Sequence, residues 1–106
     1  MTDKIVVFST CATEAEAERL ARTLVEARIA ACVTILPGAR SVYRWQGAIE
    51  TSAECLLMIK SSRALFESLR VALEKVHSYE VPELVALPVV EGAANYMNWL
   101  EGQLGA

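Results

Sequence analysis

Hydrophobic and polar positions in the first third of the chain predict a strand followed by a helix. Residues 4–10 form a run rich in β-branched and aromatic residues without a helical period, which is typical of a buried strand. Thr13 and Glu16 then match a capping box, so a helix is expected to begin there. Apolar residues recur three and four positions apart after this start, and the pattern stops near Ala27 or Arg28.

The middle of the chain predicts one long β-hairpin. A strand-like run over residues 30–36 is interrupted by Pro37-Gly38 and resumes over residues 41–45. Proline cannot donate a hydrogen bond to a neighbouring strand and glycine tolerates a bulge, so we interpret the two runs as one kinked strand. Gln46-Gly47 is suited to a tight turn, and residues 48–60 return as the partner strand.

The last third predicts a helix, a strand and a short helix. Ser61 or Ser62 is suited to cap the second helix, residues 83–89 form a strand after Pro82, and a short helix follows Gly92. The second helix is expected to turn inward Leu65, Phe66, Leu69, Leu73 and Val76, and the short helix carries Tyr96, Trp99 and Leu100.

The element order β-α-β-β-α-β-α predicts an α/β chain of the α+β type, with a ferredoxin-like, split-βαβ fold. The length of 106 residues fits a single domain spanning residues 1–106. In this fold both main helices cover one face of the sheet, so the strands are expected to alternate apolar and polar residues. Residues 5–8, 55–59 and 84–87 are apolar throughout instead, which indicates that a further surface covers the second face.

Self-association is the expected way to cover that face. The strands of the hairpin are about twice the usual length, and its tip carries Tyr43 and Trp45. Such a tip is expected to project beyond its own domain and to pack on a neighbouring copy. A monomer with an unusually apolar sheet is the alternative.

Composition and charge indicate which classes of partner the protein can have. Hydrophobic residues make up 54% of the chain, against roughly 45–50% in soluble domains, which again indicates a buried second face. The net charge of −3 argues against a nucleic-acid partner, because lysine and arginine supply most of that affinity. No run approaches the ~20 apolar residues of a membrane span and no signal-peptide core is present, so a cytoplasmic protein without membrane contact is predicted. The three widely spaced cysteines are expected to be reduced thiols.

No residue pattern indicates an enzyme. The single histidine has no evident orienting partner, and no serine or cysteine stands in a recognisable nucleophile turn. The five scattered glycines form no phosphate-binding loop. We therefore expect a binding protein.

Several motifs resemble the CutA family of divalent-cation tolerance proteins, and they cover almost the whole chain in order. They are Ala31-Cys32-Val33, the hairpin tip Ser41-Val42-Tyr43-Arg44-Trp45-Gln46-Gly47, Lys60, His77-x-Tyr79-Glu80-x-Pro82-Glu83 and Tyr96-x-x-Trp99-Leu100. The resemblance implies a tight homotrimer with hairpins exchanged between subunits and an architecture similar to the PII signalling proteins. It also implies a role in divalent-cation tolerance, with copper or another divalent cation bound.

The chain departs from the family pattern near the expected metal site. Family members with a proposed copper site carry a cysteine late in the first strand, where this chain has Ser9, with Cys11 two residues on. The family's histidine or histidine pair after the second helix is reduced to Val76-His77, and Ser78 replaces a usual proline.

His77, Cys11 and Cys32 are the candidate metal ligands. Imidazole and thiolate groups suit copper and zinc, but no metal-binding spacing is present, so the site would be assembled in space or across subunits. Each residue also has a structural alternative. His77 could cap the carboxyl end of the second helix, and Cys11 could be a loop thiol without a function. Cys32 could pack in the core as a small hydrophobic residue.

The remaining candidates are mostly aromatic residues, which serve more often at interfaces than in ligand pockets. The set expected at a trimer interface or cleft is Tyr43, Trp45, Lys60, Tyr79, Glu83, Tyr96 and Trp99. The leading hypothesis is a trimer that binds copper in metal homeostasis. The alternative is a PII-like signalling trimer that binds a small molecule without a physiological metal role, and other partners are unknown.

Overall fold

Four antiparallel strands form one sheet in the order β2-β3-β1-β4, in a computed structural model that describes residues 2–105. The strands are Lys4–Cys11 (β1), Cys32–Trp45 (β2), Ala48–Ser62 (β3) and Val85–Pro88 (β4), and the helices are Glu14–Glu26 (α1), Phe66–Val76 (α2) and Ala94–Gln103 (α3). This order and topology are those of a ferredoxin-like fold, so the predicted fold class is confirmed.

The predicted hairpin is present with its kink and its turn. β2 and β3 pair from Cys32–Lys60 to Trp45–Ala48, and the register shifts at a bulge between Leu36 and Ala39. Gly38 within the bulge has a φ of 84°, a conformation that side chains with a Cβ disfavour. At the tip, Gln46 and Gly47 have φ values of 50° and 83°, as expected for a two-residue hairpin turn that follows the twist of the strands.

The hydrophobic core lies between one face of the sheet and helices α1 and α2. Alternate residues of β1 and β3 point into it, and α1 and α2 contribute their apolar stripes. Its members are Ile5, Val7, Cys11, Ala17, Leu20, Leu24, Ala30, Cys55, Leu57, Ile59, Leu69 and Leu73. The core therefore includes two of the three cysteines, both free thiols.

The second half of the chain differs from the predicted boundaries. A short 3-10 turn, Arg63–Leu65, precedes α2, and Ser62 makes no side-chain capping bond. Ser61 is buried instead, and its hydroxyl donates to the carbonyl of Ile29. Val76 is exposed at the end of α2 rather than inward. The last strand covers only Val85–Pro88, because it pairs with β1 alone at the edge of the sheet.

Helix α3 covers one end of the second sheet face. Leu100 is buried beneath it, and Glu101 forms an ion pair with the almost fully buried Lys4. The rest of this face stays open, since Val85 and Leu87 are about half exposed. Within the described part of the chain, residues 2–105, no helix is both long and apolar enough to cross a membrane.

Candidate functional site

A cleft of about 710 Å³ lies between the outer half of the hairpin and the segment that follows α2. We call it the hairpin cleft. Most of the hairpin side chains that reach it are two positions apart, because such residues share one face of a strand, and Val42 from the other face also lines it. It is lined by Thr10, Ser41, Val42, Tyr43, Trp45, Ser52, Glu54, Ser78, Tyr79, Glu80, Val81 and Glu83.

Glu54 and Tyr79 join the two walls of the hairpin cleft. The phenol of Tyr79 donates a 2.6 Å hydrogen bond to Oε2 of Glu54, whose residue is only 7% exposed. Burial and the hydrogen bond to this carboxylate raise the pKa of Tyr79 well above its usual range, so the phenol stays protonated. Nearby, the hydroxyls of Tyr43 and Ser52 are 2.8 Å apart across the hairpin. The floor of the cleft is therefore a fixed polar surface.

His77 lies behind the cleft with both ring nitrogens engaged. Its side chain is completely buried; Nε2 lies 2.8 Å from the carbonyl oxygen of Thr10 and Nδ1 lies 3.0 Å from the backbone nitrogen of Tyr79. Because the backbone N–H donates to Nδ1, the proton resides on Nε2, which donates to Thr10. Neither nitrogen has a free lone pair for a metal ion in this arrangement.

Glu16 connects α1 to the segment after α2. Thr13 caps α1 as predicted, since its hydroxyl accepts from the backbone N–H of Glu16. The carboxylate of Glu16, however, accepts hydrogen bonds from the N–H and the hydroxyl of Ser78 at 2.8 and 2.9 Å, and from the N–H of Ala12 at 3.4 Å. A proline at position 78 would lack both of the Ser78 donors. Glu16 is 5% exposed, so these hydrogen bonds satisfy a buried carboxylate.

The three candidate metal ligands do not lie together. Cys11 is fully buried in the core, where burial and the nearby charge of Glu16 raise the pKa of its thiol to about 11. Cys32 of β2 pairs with Lys60 of β3, and Lys60 pairs on its other side with Val6 of β1. Val6 is five residues from Cys11 along β1. Five residues along the strands and two strand spacings across the sheet place the backbones of the two cysteines about 20 Å apart.

Cys32 belongs to a second cluster, beside α3. Its sulfur lies 3.8 Å from Nζ of Lys60 and 3.9 Å from the phenol oxygen of Tyr96. Tyr96 in turn packs near Trp99, with ring centroids 5.7 Å apart, and both rings are more than 40% exposed. The set predicted for an interface or cleft is thus divided: Tyr43, Trp45, Tyr79 and Glu83 line the hairpin cleft, while Lys60, Tyr96 and Trp99 lie at the opposite end of the sheet.

No group of three or more metal-ligating side chains occurs among residues 2–105 of one chain. The neutral Cys11 thiol, the engaged His77 ring and the distant Cys32 do not form a copper site within one chain. The residues that the sequence analysis missed are Glu16 and Ser78, together with the hydroxyl side chains of the cleft, Thr10, Ser41 and Ser52. Strand periodicity places Ser41 on the same face of β2 as Tyr43, but only the pairing of the strands brings Ser52 and Thr10 to the same cleft.

Comparison with known proteins agrees with this fold. Residues 5–103 match the family model described as CutA1 divalent ion tolerance protein. A relative from Pectobacterium atrosepticum, named divalent-cation tolerance protein CutA, is 43% identical over 98% of this chain and 94% of its own length.

Solved structures agree as well. The crystal structure of CutA from Xylella fastidiosa has a TM-score of 0.95 at 41% identity, covering 98% of this chain and all of the other. A protein from Archaeoglobus fulgidus, described as the periplasmic divalent cation tolerance protein CutA, has a TM-score of 0.91 at 31% identity, covering 94% of this chain and 97% of the other. By both sequence and structure, this chain belongs to the CutA1 divalent ion tolerance protein family.

Proposed function

We propose that this protein acts in divalent-cation tolerance as a cytoplasmic homotrimer that binds copper or another divalent metal ion. The family match over residues 5–103 carries the proposal, because the relatives are named for tolerance to divalent cations. Those names describe tolerance proteins rather than enzymes, so the proposed activity is binding and not catalysis.

Exposed apolar surface supports the self-association. Val85 and Leu87 are about half exposed on the open sheet face, and Val42 and Ile49 are 69% and 60% exposed on the hairpin. Apolar surface concentrated in this way is typical of sites where proteins associate. A second copy of the chain is the occupant we propose for it.

The metal ion is proposed to take donors from more than one chain. A threefold assembly brings equivalent side chains of neighbouring copies together, so it supplies ligands that one chain lacks. Cys32 is the first residue to test, because it is partly exposed. His77 and Cys11 would have to leave buried hydrogen bonds in order to bind a metal, and they are tested beside it.

Calorimetric titration with Cu(II) and Zn(II), on protein whose mass is measured by sedimentation, tests the proposal. We expect a trimer and micromolar binding that weakens about tenfold or more in Cys32→Ser, His77→Ala or Cys11→Ser. Cys55→Ser is the matched control, since Cys55 is a buried thiol that is not a candidate ligand. Binding that none of the three substitutions weakens would overturn the ligand assignment, and no binding would overturn the metal role.

The alternative of a PII-like, small-molecule-binding trimer is not favoured by the comparisons, which point to metal tolerance. The cytoplasmic location also needs its own test, since the Archaeoglobus relative is described as periplasmic. Cell fractionation with an antibody against the native chain would check it, and recovery with the periplasmic proteins would contradict it.

A further inference from the structure

Cys32 and Lys60 are directly paired where β2 begins beside the end of β3. Paired residues of two antiparallel strands lie on the same face of the sheet, with their Cβ atoms about 5 Å apart. The sulfur of Cys32 lies 3.8 Å from Nζ of Lys60 and 3.9 Å from the phenol oxygen of Tyr96. The thiol therefore faces two groups that can donate a hydrogen bond to it.

Lys60 places a positive charge beside this thiol. Among residues 2–105, no carboxylate lies within ion-pair distance of the Lys60 ammonium group. Val6, which pairs with Lys60 on its other side, is apolar. An ammonium group near a cysteine favours the thiolate, which is the nucleophilic form of that side chain. Cys32 and Lys60 are both partly exposed, so a small reagent can reach the sulfur.

The other two thiols of the chain belong to the opposite face of the sheet. Cys55 lies five positions from Lys60 along β3, and an odd separation places two strand residues on different faces. Cys11 pairs with Cys55 and is buried with it in the core. An oxidised Cys32 side chain therefore has a nitrogen of its own chain, rather than a second sulfur, as its reactive neighbour.

We propose that a hydroperoxide oxidises Cys32 and that the oxidised sulfur then bonds to Lys60, which links β2 to β3 covalently. The Cys32 thiolate attacks one peroxide oxygen, so the S–O bond forms, the O–O bond breaks and Cys32 becomes a sulfenic acid. Two electrons pass from the sulfur to the peroxide. The released hydroxide takes a proton from the Lys60 ammonium group and leaves as water, which converts Lys60 to a neutral amine.

The nitrogen of Lys60 then attacks the sulfur of the sulfenic acid. An S–N bond forms, the S–O bond breaks, and the oxygen leaves as a second water molecule. Sulfenic acids condense with backbone nitrogen in the same way to give a sulfenamide. The lysine stem is flexible, so side-chain rotation is sufficient to close the 3.8 Å between the two atoms. This modification goes beyond cation tolerance and depends neither on the trimer nor on a metal ion.

Intact-mass spectrometry of the reduced, full-length protein after treatment with hydrogen peroxide at neutral pH tests the link. Condensation removes two hydrogen atoms, so we expect a product about 2 Da lighter, with the peptides of Cys32 and Lys60 joined, and we expect dithiothreitol to reverse it. Cys55→Ser is the matched control and should form the same product, since a disulfide between Cys11 and Cys55 would also remove two hydrogen atoms. Cys32→Ser should not form it.

Two substitutions of Lys60 separate its charge from its bond-forming nitrogen. Lys60→Arg keeps the positive charge, so we expect oxidation of Cys32 to stop at a sulfenic acid, about 16 Da heavier than the thiol and reactive with dimedone. Lys60→Gln removes the charge and should slow the oxidation of Cys32 about tenfold or more. A wild-type product without joined peptides would overturn the link. Oxidation of Lys60→Gln at the wild-type rate would overturn the role of Lys60 in activating the thiol.

Discussion

The Nε2 atom of His77 donates a hydrogen bond to the carbonyl oxygen of Thr10 over 2.8 Å, which ties the end of α2 to the end of β1. The other ring nitrogen accepts from the backbone of Tyr79 and so fixes the start of the segment that lines the hairpin cleft. The imidazole therefore holds two chain segments in place from within the protein.

His77→Ala is expected to destabilise the fold by about 2–4 kcal/mol, because it leaves buried backbone groups without partners and creates a cavity. Chemical unfolding at neutral pH measures this change. Lys75→Ala, at an exposed position two residues earlier, serves as the control and should change the free energy of unfolding little. Equal stability of the two variants would contradict the structural role of His77.

Glu16 is expected to make the protein sensitive to acid. Burial raises the pKa of this carboxyl group, but the hydrogen bonds from Ser78 and Ala12 outweigh it and hold the pKa below its usual range. A carboxyl group with a depressed pKa stabilises the folded state at pH values above its unfolded-state pKa of about 4.3. This contribution is lost as the pH falls through the pKa of the folded state.

Glu16→Gln should therefore be less stable at neutral pH by about 1–3 kcal/mol, and its stability should fall less steeply in acid. Urea unfolding from neutral pH down to the acid transition gives both quantities. Glu18→Gln is the control, because the side chain of Glu18 is 57% exposed. Parallel pH profiles for wild type and Glu16→Gln would show that the buried carboxylate has no such role.

Gly38→Ala is expected to destabilise the hairpin by about 1 kcal/mol. A Cβ at this position would meet no atom within 4 Å, so the cost comes only from the positive φ of the bulge. Gly102→Ala is the control and is expected to stabilise the protein, because alanine favours a helix more than glycine does. Gly102 lies in α3, and a Cβ there would also meet no atom within 4 Å. Thermal unfolding of both variants checks this, and a stabilised Gly38→Ala would contradict the bulge conformation.

The three cysteines are expected to differ in reactivity. Cys32 is partly exposed, whereas Cys11 and Cys55 are buried, and burial raises the pKa of both buried thiols. An aromatic disulfide reagent should modify Cys32 at least about a hundredfold faster than the other two. The fast phase should disappear in Cys32→Ser and stay in Cys55→Ser. A fast phase that persists in Cys32→Ser would contradict the assigned burial.

Local patterns were sufficient to predict most of the fold. The capping residue Thr13, the bulge at Pro37-Gly38 and the turn at Gln46-Gly47 all appear as expected, because each depends on the conformational preferences of a few adjacent residues. The last strand was predicted too long, since its ends are set by pairing with β1 rather than by its own apolar run.

The candidate site depended more on tertiary structure. Cys11 is not the loop thiol that its position near a turn suggested, because it belongs to β1 and its side chain points to the core face of that strand. The separation of Cys32 from His77 and Cys11 follows from the sheet register, which the spacing along the chain does not contain. The metal-ligand set of His77, Cys11 and Cys32 stays a prediction, as does the trimer.

By itself, the sequence determined the elements, the ferredoxin-like order and the long hairpin, because apolar periodicity, caps and turn residues act over a few positions. Only the tertiary structure decided that Glu16 is buried against Ser78 and that His77 uses both nitrogens within the protein. It also decided that the carboxylates of Glu54, Glu80 and Glu83 line one cleft. These features join residues that are distant along the chain, so they exist only once the strands have paired and the helices have packed.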